Sequence, residues 1–270
     1  MIYSAVITNG VLKCGTAITP CGPEIAVPLA AACGYDALQL TVRSAQDYDL
    51  PQLKTLLKEN RLFVHALATG SIYSKDHLGM GSGDEENRRA CVARLCELAE
   101  VCRELDGARL IIGGVRGRTS DAETPALYYR QFEKSLGELC LYAADLGVDV
   151  LLEVINHRSS DCCISIPETL ACIERVGCDN LLMYLDTMHL YYEKEDICAV
   201  MRQYGRRVPQ IDIAGEDRRS PMDSVIDFAS VLNVLKEIGY DGVLNMEFDA
   251  STGDALPLKA LEYVKSFFRS

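Results

Sequence analysis

GVDVLLEVINH, residues 147–157, holds a helix-stopping glycine, a run apolar on both faces, and a carboxylate where that run ends. A strand buried on both faces reads as continuous hydrophobicity rather than as alternation. Val148–Glu153 is therefore read as a buried parallel strand, and Gly147 as the residue that closes the preceding helix. The same phrase recurs outward along the chain. Gly34-Tyr35-Asp36, Gly177-Cys178-Asp179 and Gly239-Tyr240-Asp241 each stand before another short apolar run. Eight such runs are expected as strands: Tyr3–Thr8, Ala37–Thr41, Leu62–Leu67, Ala108–Gly113, Val148–Glu153, Leu181–Asp186, Val208–Ile213 and Gly242–Phe248. Helices are expected after each: Glu24–Cys33, Leu50–Glu59, Asp84–Leu105, Pro125–Leu146, Pro167–Val176, Asp196–Tyr204, Asp227–Ile238 and Pro257–Phe268. In the third helix, Cys91, Leu95, Leu98, Cys102 and Leu105 keep a helical rhythm that predicts one buried stripe. Eight strand–helix units with short joints predict an α/β fold, a single (β/α)8 TIM barrel over residues 1–270, rather than an open eight-stranded sheet.

The bulk properties exclude several roles. The chain has 270 residues and a net charge of −12, so its surface repels nucleic acid unless a basic patch intervenes. Its nearest basic group, Arg202, Arg206 and Arg207, is short and isolated, and no nucleic-acid partner is expected. No apolar run reaches the ~18 residues of a membrane span. The opening MIYSAVITNG lacks a basic stretch followed by an apolar one, so no secretory signal and a cytoplasmic location are expected. Twelve cysteines run from Cys14 to Cys198 without a C-x-x-C pair; Cys162 and Cys163 form the one doublet. They are read as reduced, mostly apolar fillers rather than a disulfide framework.

In a barrel, the loops that follow the strands form the active face. The fifth to eighth expected strands deliver Glu153, Asp186, Asp212 and Glu247 there, each after an apolar run. An isolated, partly buried charge costs several kcal/mol after relaxation, which a shared divalent cation would remove. Oxygen ligands favour a hard ion, Mn²⁺ or Mg²⁺. The plainer reading is that each carboxylate caps the next helix or pairs with an arginine. Asp186-Thr187-Met188-His189 sets His189 just past a strand end, and His65 and His157 also fall near the expected face, whereas His77 falls in a loop. After Asp212, Gly215-Glu216-Asp217-Arg218-Arg219 offers an arginine for a substrate oxyanion or phosphate, or an exposed ion pair with Glu216 or Asp217.

LLEVINH (151–157), YLDTMH (184–189), IDIAGEDRR (211–219) and IGYDGVLNMEF (238–248) together resemble the xylose-isomerase-like TIM barrels. That family holds sugar and sugar-phosphate isomerases, 3-epimerases, hydroxypyruvate isomerase, inosose dehydratase and the endonuclease IV branch. The resemblance spans the barrel and is strongest from residue 148 to 248. The ketose 3-epimerase branch implies metal ligation by Glu153, Asp186, Asp212 and Glu247. It also implies acid–base roles for the two glutamates and substrate contacts from His189 and Arg218. Proton transfer through a metal-bound enediolate would then isomerise or epimerise a small sugar, sugar phosphate or polyol. The same site could expel a leaving group as a lyase or dehydratase, and a non-catalytic sugar-binding barrel is the further alternative. Three departures from the family pattern stand out: Asp212 stands for its His, His157 and Ser159 for its Arg and later Glu, and Gln39 for a Glu near the end of the second strand. Four histidines are too few for the three-metal cluster of the endonuclease branch. A homo-oligomer is expected only by analogy with such families.

Overall fold

Apolar runs become strands and the longer periodic runs become helices in a computed structural model that describes residues 1–8, 11–12, 22–249 and 256–269. The strands are β1 (Ile2–Thr8), β2 (Val11–Leu12), β3 (Ala37–Thr41), β4 (Phe63–Ala68), β5 (Arg109–Ile112), β6 (Val150–Glu153), β7 (Leu181–Asp186), β8 (Gln210–Ile213) and β9 (Val243–Met246). Their order in the sheet is β2-β1-β3-β4-β5-β6-β7-β8-β9. β1 pairs in parallel with β9 as well as with β3, so the eight parallel strands close into a single (β/α)8 TIM barrel. β2 was not expected. It pairs antiparallel with the end of β1, through Ile7 and Leu12 and through Thr8 and Val11, and two residues are too few to leave a periodic signal.

The helices are α1 (Pro23–Ala32), α2 (Leu50–Asn60), α3 (Glu85–Glu104), α4 (Pro125–Asp145), α5 (Ile166–Val176), α6 (Thr187–Tyr192), α7 (Ile197–Tyr204), α8 (Phe228–Glu237) and α9 (Leu256–Ser266). Their starts follow local chemistry. Asp49, Thr124, Ser165, Asp196 and Asp227 each accept a backbone N–H from the first turn of the helix they precede. Such a cap is typically worth ~1 kcal/mol. The glycines read as helix stops, Gly34, Gly147, Gly177 and Gly239, all adopt positive φ, between 65° and 86°.

By its internal contacts the chain divides into two units. The first comprises Met1–Leu40, Asp49–Val64 and Leu185–Ser270 and carries the β7–β8–β9–β1 register that matters for the site. There Asp186 pairs with Asp212, and Asp212 with Asn245. The second comprises Thr41–Tyr48 and His65–Tyr184. Its core includes Ala66, Ile111, Leu151 and Tyr184, against which Ala68 and Leu182 pack. The expected stripe of α3 is buried throughout, and Arg88 lies buried with it, donating to Glu85 on its own helix and to Ser135 and Glu138 on α4.

The ten described cysteines are all free, while Cys14 and Cys21 lie outside the described residues. Among the described residues, no helix is long and apolar enough to cross a membrane.

Two glycine substitutions test the helix reading with opposite signs. Gly177 closes α5 at φ 68°, so Gly177→Ala is expected to cost about 1 kcal/mol. Gly137 lies inside α4, where an added Cβ meets nothing within 4 Å. Gly137→Ala is expected to gain about 1 kcal/mol. Urea midpoints moving in the same direction for both would refute the assignment.

Candidate functional site

Three of the expected carboxylates are brought together inside the first unit. Asp186 ends β7, Asp212 lies in β8, and Glu247 follows β9 by one residue. Each offers an oxygen within 4.8 Å of the others. Asp186 fulfils the plainer reading as well. Its Oδ1 accepts the Met188 N–H at 2.7 Å and so caps α6, and its Oδ2 accepts Arg218 Nη1 at 2.6 Å. Arg218 Nη2 lies 3.4 Å from Glu247 Oε1, so one guanidinium bridges two of the three acids. His189, buried in α6, brings Nε2 to 3.7 Å from Asp186 Oδ2.

Arg218 reaches this position from an unfavourable backbone. Asp217 and Arg218 adopt φ of 51° and 60°, a region costly for residues with a side chain. The surroundings hold the turn. The Asp249 N–H donates to the Arg218 carbonyl at 2.8 Å, and the Asp217 N–H donates to the Tyr192 hydroxyl at 3.0 Å. Arg219 points elsewhere and forms the ion pair considered for it, 3.5 Å from Glu216.

Asp212 is fully buried in a network of amides. Its Oδ1 accepts from Gln210 Nε2 at 2.6 Å and from Asn245 Nδ2 at 3.1 Å. Both amides also donate to Gln39 Oε1, at 2.8 and 3.2 Å. Asp212 Oδ2 has no hydrogen-bond partner. Burial, then the charges of Glu247 and Asp186, pushes the Asp212 carboxyl well above the usual carboxylate range. Three acids with one bridging arginine leave excess negative charge. The orphaned Oδ2 and the all-oxygen donor set fit a hard divalent cation at this point.

Glu153, the fourth expected carboxylate, ends β6 in the second unit and is buried. Two residues there set its position. A Cβ added at Gly113 would overlap Glu153 Oε2. Arg116, wholly buried, donates to the Glu153 carbonyl at 2.6 Å and also to the carbonyls of Ile112, Gly113, Cys162 and Cys163. His65 is buried on β4. His157 is exposed, beside a turn in which Asn156 Oδ1 accepts the N–H groups of Arg158 and Ser159.

Sequence reasoning passed over Gln210, Asn245, Arg116 and Gly113. Gln210 and Asn245 did carry a signal, as polar residues inside otherwise apolar strands. Arg116 and Gly113 carried none, because their partners lie up to 47 residues away.

The sequence pattern of the family described as "Xylose isomerase-like TIM barrel" matches residues 27–267. The L-ribulose 3-epimerase of Methylomonas sp. (strain DH-1) is 28% identical over 269 residues, covering 90% of this chain and 91% of its own. The ketose 3-epimerase of Arthrobacter globiformis is 25% identical over 234 residues, covering 86% and 79%. Among solved structures, the D-allulose 3-epimerase from Methylomonas sp. superposes with a TM-score of 0.80 at 22% identity, covering 99% of this chain and 98% of its own.

The buried acid gives a prediction about pH. A carboxyl whose pKa is raised by folding favours the folded state most at pH below its unfolded value of ~3.9. That contribution is lost as pH rises through the folded pKa. Chelator-treated wild-type protein should therefore lose more stability between pH 4 and pH 8 than Asp212→Asn does. The variant should melt higher at pH 8, by roughly 2–4 °C per kcal/mol relieved, and should gain less from added Mn²⁺. Parallel melting profiles for the two proteins would count against this account of Asp212.

Proposed function

The chain belongs to the xylose isomerase-like TIM-barrel family, and from that premise we propose that it is a metal-dependent isomerase or epimerase of small sugars, with ketoses as the substrate class. The observation that supports this reading is the grouping of Asp186, Asp212 and Glu247 around an oxygen that has no donor. The ligand set of the proposal is these three with Glu153. Mn²⁺ or Mg²⁺ is its ion, since every donor is a carboxylate oxygen. When bound, the ion polarises a substrate carbonyl and acidifies the adjacent C–H.

The chain's own residues do the rest. Glu153 and Glu247 are the proton carriers. One removes the proton beside the carbonyl to give an enediolate, and the other, or the same one, returns a proton at a new face or a new carbon. Arg218 already sits between Asp186 and Glu247, and a guanidinium there can donate to a developing oxyanion. His189 is the second hydroxyl contact of the proposal, with His65 and His157 on the strand and loop that would meet the remainder of the sugar.

The direct experiment is a screen of ketoses and ketose phosphates in D₂O with NMR detection of C–H exchange. An active substrate should incorporate deuterium beside the carbonyl, and Glu153→Gln should abolish that exchange; exchange retained by the variant removes Glu153 from its role. Gly113→Ala should lower kcat at least tenfold, about 1.4 kcal/mol in the barrier, because the added methyl displaces the Glu153 carboxylate. Undiminished turnover in this variant would show that the carboxylate does not need its present position.

A further inference from the structure

The loop between β6 and α5 carries Cys162 and Cys163. Both are at most 1% exposed. Their sulfurs lie 3.7 Å apart. Ligand atoms of Cys162, Cys163 and Glu168 lie within 4.8 Å of one another. Zinc–sulfur bonds of about 2.3 Å in a tetrahedral site put neighbouring sulfurs about 3.8 Å apart. The spacing at Cys162 and Cys163 is therefore that of two thiolates on one ion.

The surroundings favour a bound cation over an oxidised pair. Arg116 holds the loop in place, with Nη1 3.0 Å from the Cys162 carbonyl. Glu168 is already fixed, with Oε1 accepting the Cys163 N–H at 2.8 Å and the Tyr129 hydroxyl at 3.0 Å, and Oε2 accepting the Ile164 N–H at 3.1 Å. One lone pair of Oε2 remains for a ligand bond. Burial this complete gives a dissolved oxidant little access, whereas structural metal sites are closed and fill as the chain folds.

We propose that Cys162, Cys163 and Glu168 form a closed site for a soft, zinc-class divalent cation. It is separate in chemistry from the carboxylate centre, which selects hard ions. Filling it displaces the thiol protons of Cys162 and Cys163. Because Arg116 also holds the Glu153 carbonyl, the bound ion braces the end of β6.

The test is titration of the full chain, stripped by chelator under reductant, with Cd²⁺. Sulfur-to-cadmium charge-transfer absorption should rise and level at one equivalent. It should persist in Asp186→Asn, which disables the carboxylate centre, and be lost in Cys162→Ser and in Cys163→Ser. No band in the wild-type protein overturns the proposal whatever the variants do. So does a band that survives both serine variants, or a protein purified without reductant whose mass shows loss of two hydrogens between Cys162 and Cys163.

Discussion

A carboxylate with no exposed surface, Asp212, constrains everything around it. Burying it calls for donors on one side and a cation or a proton on the other. The strands supply the first from two places, Gln210 two residues earlier on the same strand and Asn245 opposite it in register, and Gln39 Oε1 accepts the second hydrogen of each amide. The second requirement falls to the space shared with Asp186 and Glu247, where Arg218 neutralises only part of the charge. The strained turn at Asp217–Arg218 follows from the same need, because it delivers a guanidinium to acids that would otherwise repel one another.

The second unit meets a comparable demand differently. Arg116 is a buried charge satisfied wholly by carbonyls, drawn from the ends of β5 and β6 and from the Cys162–Cys163 loop. Such a hub fixes backbone more than it balances charge. It explains how a glutamate at a strand terminus, next to a glycine with no side chain to crowd it, can hold one position.

Much of this was legible beforehand. Ala37–Thr41 and Leu181–Asp186 run as expected because their apolar stretches end sharply at polar residues. β6 and β8 begin two residues later than expected, since Val148 and Val208 are apolar yet lie outside the ladders. The four terminal carboxylates stood out because polarity at the end of a buried run is anomalous in one dimension. α6 was hidden, being a short helix capped by the strand's own last residue, Asp186. So was the π-helix at Ile72–Asp76, whose geometry has no local signature. Arg116 was invisible for a deeper reason. Its partners are main-chain oxygens, which every residue possesses, so no pattern of side chains could have pointed to them.

The amide network around Asp212 also bears on how such a site can change over time. Two amide donors, from Gln210 and Asn245, converge on one carboxylate oxygen. A neutral imidazole at position 212 has one acceptor nitrogen with a single lone pair, and could take one of these amides but not both. Donors and acceptors in this pocket are thus matched jointly at positions 39, 210, 212 and 245.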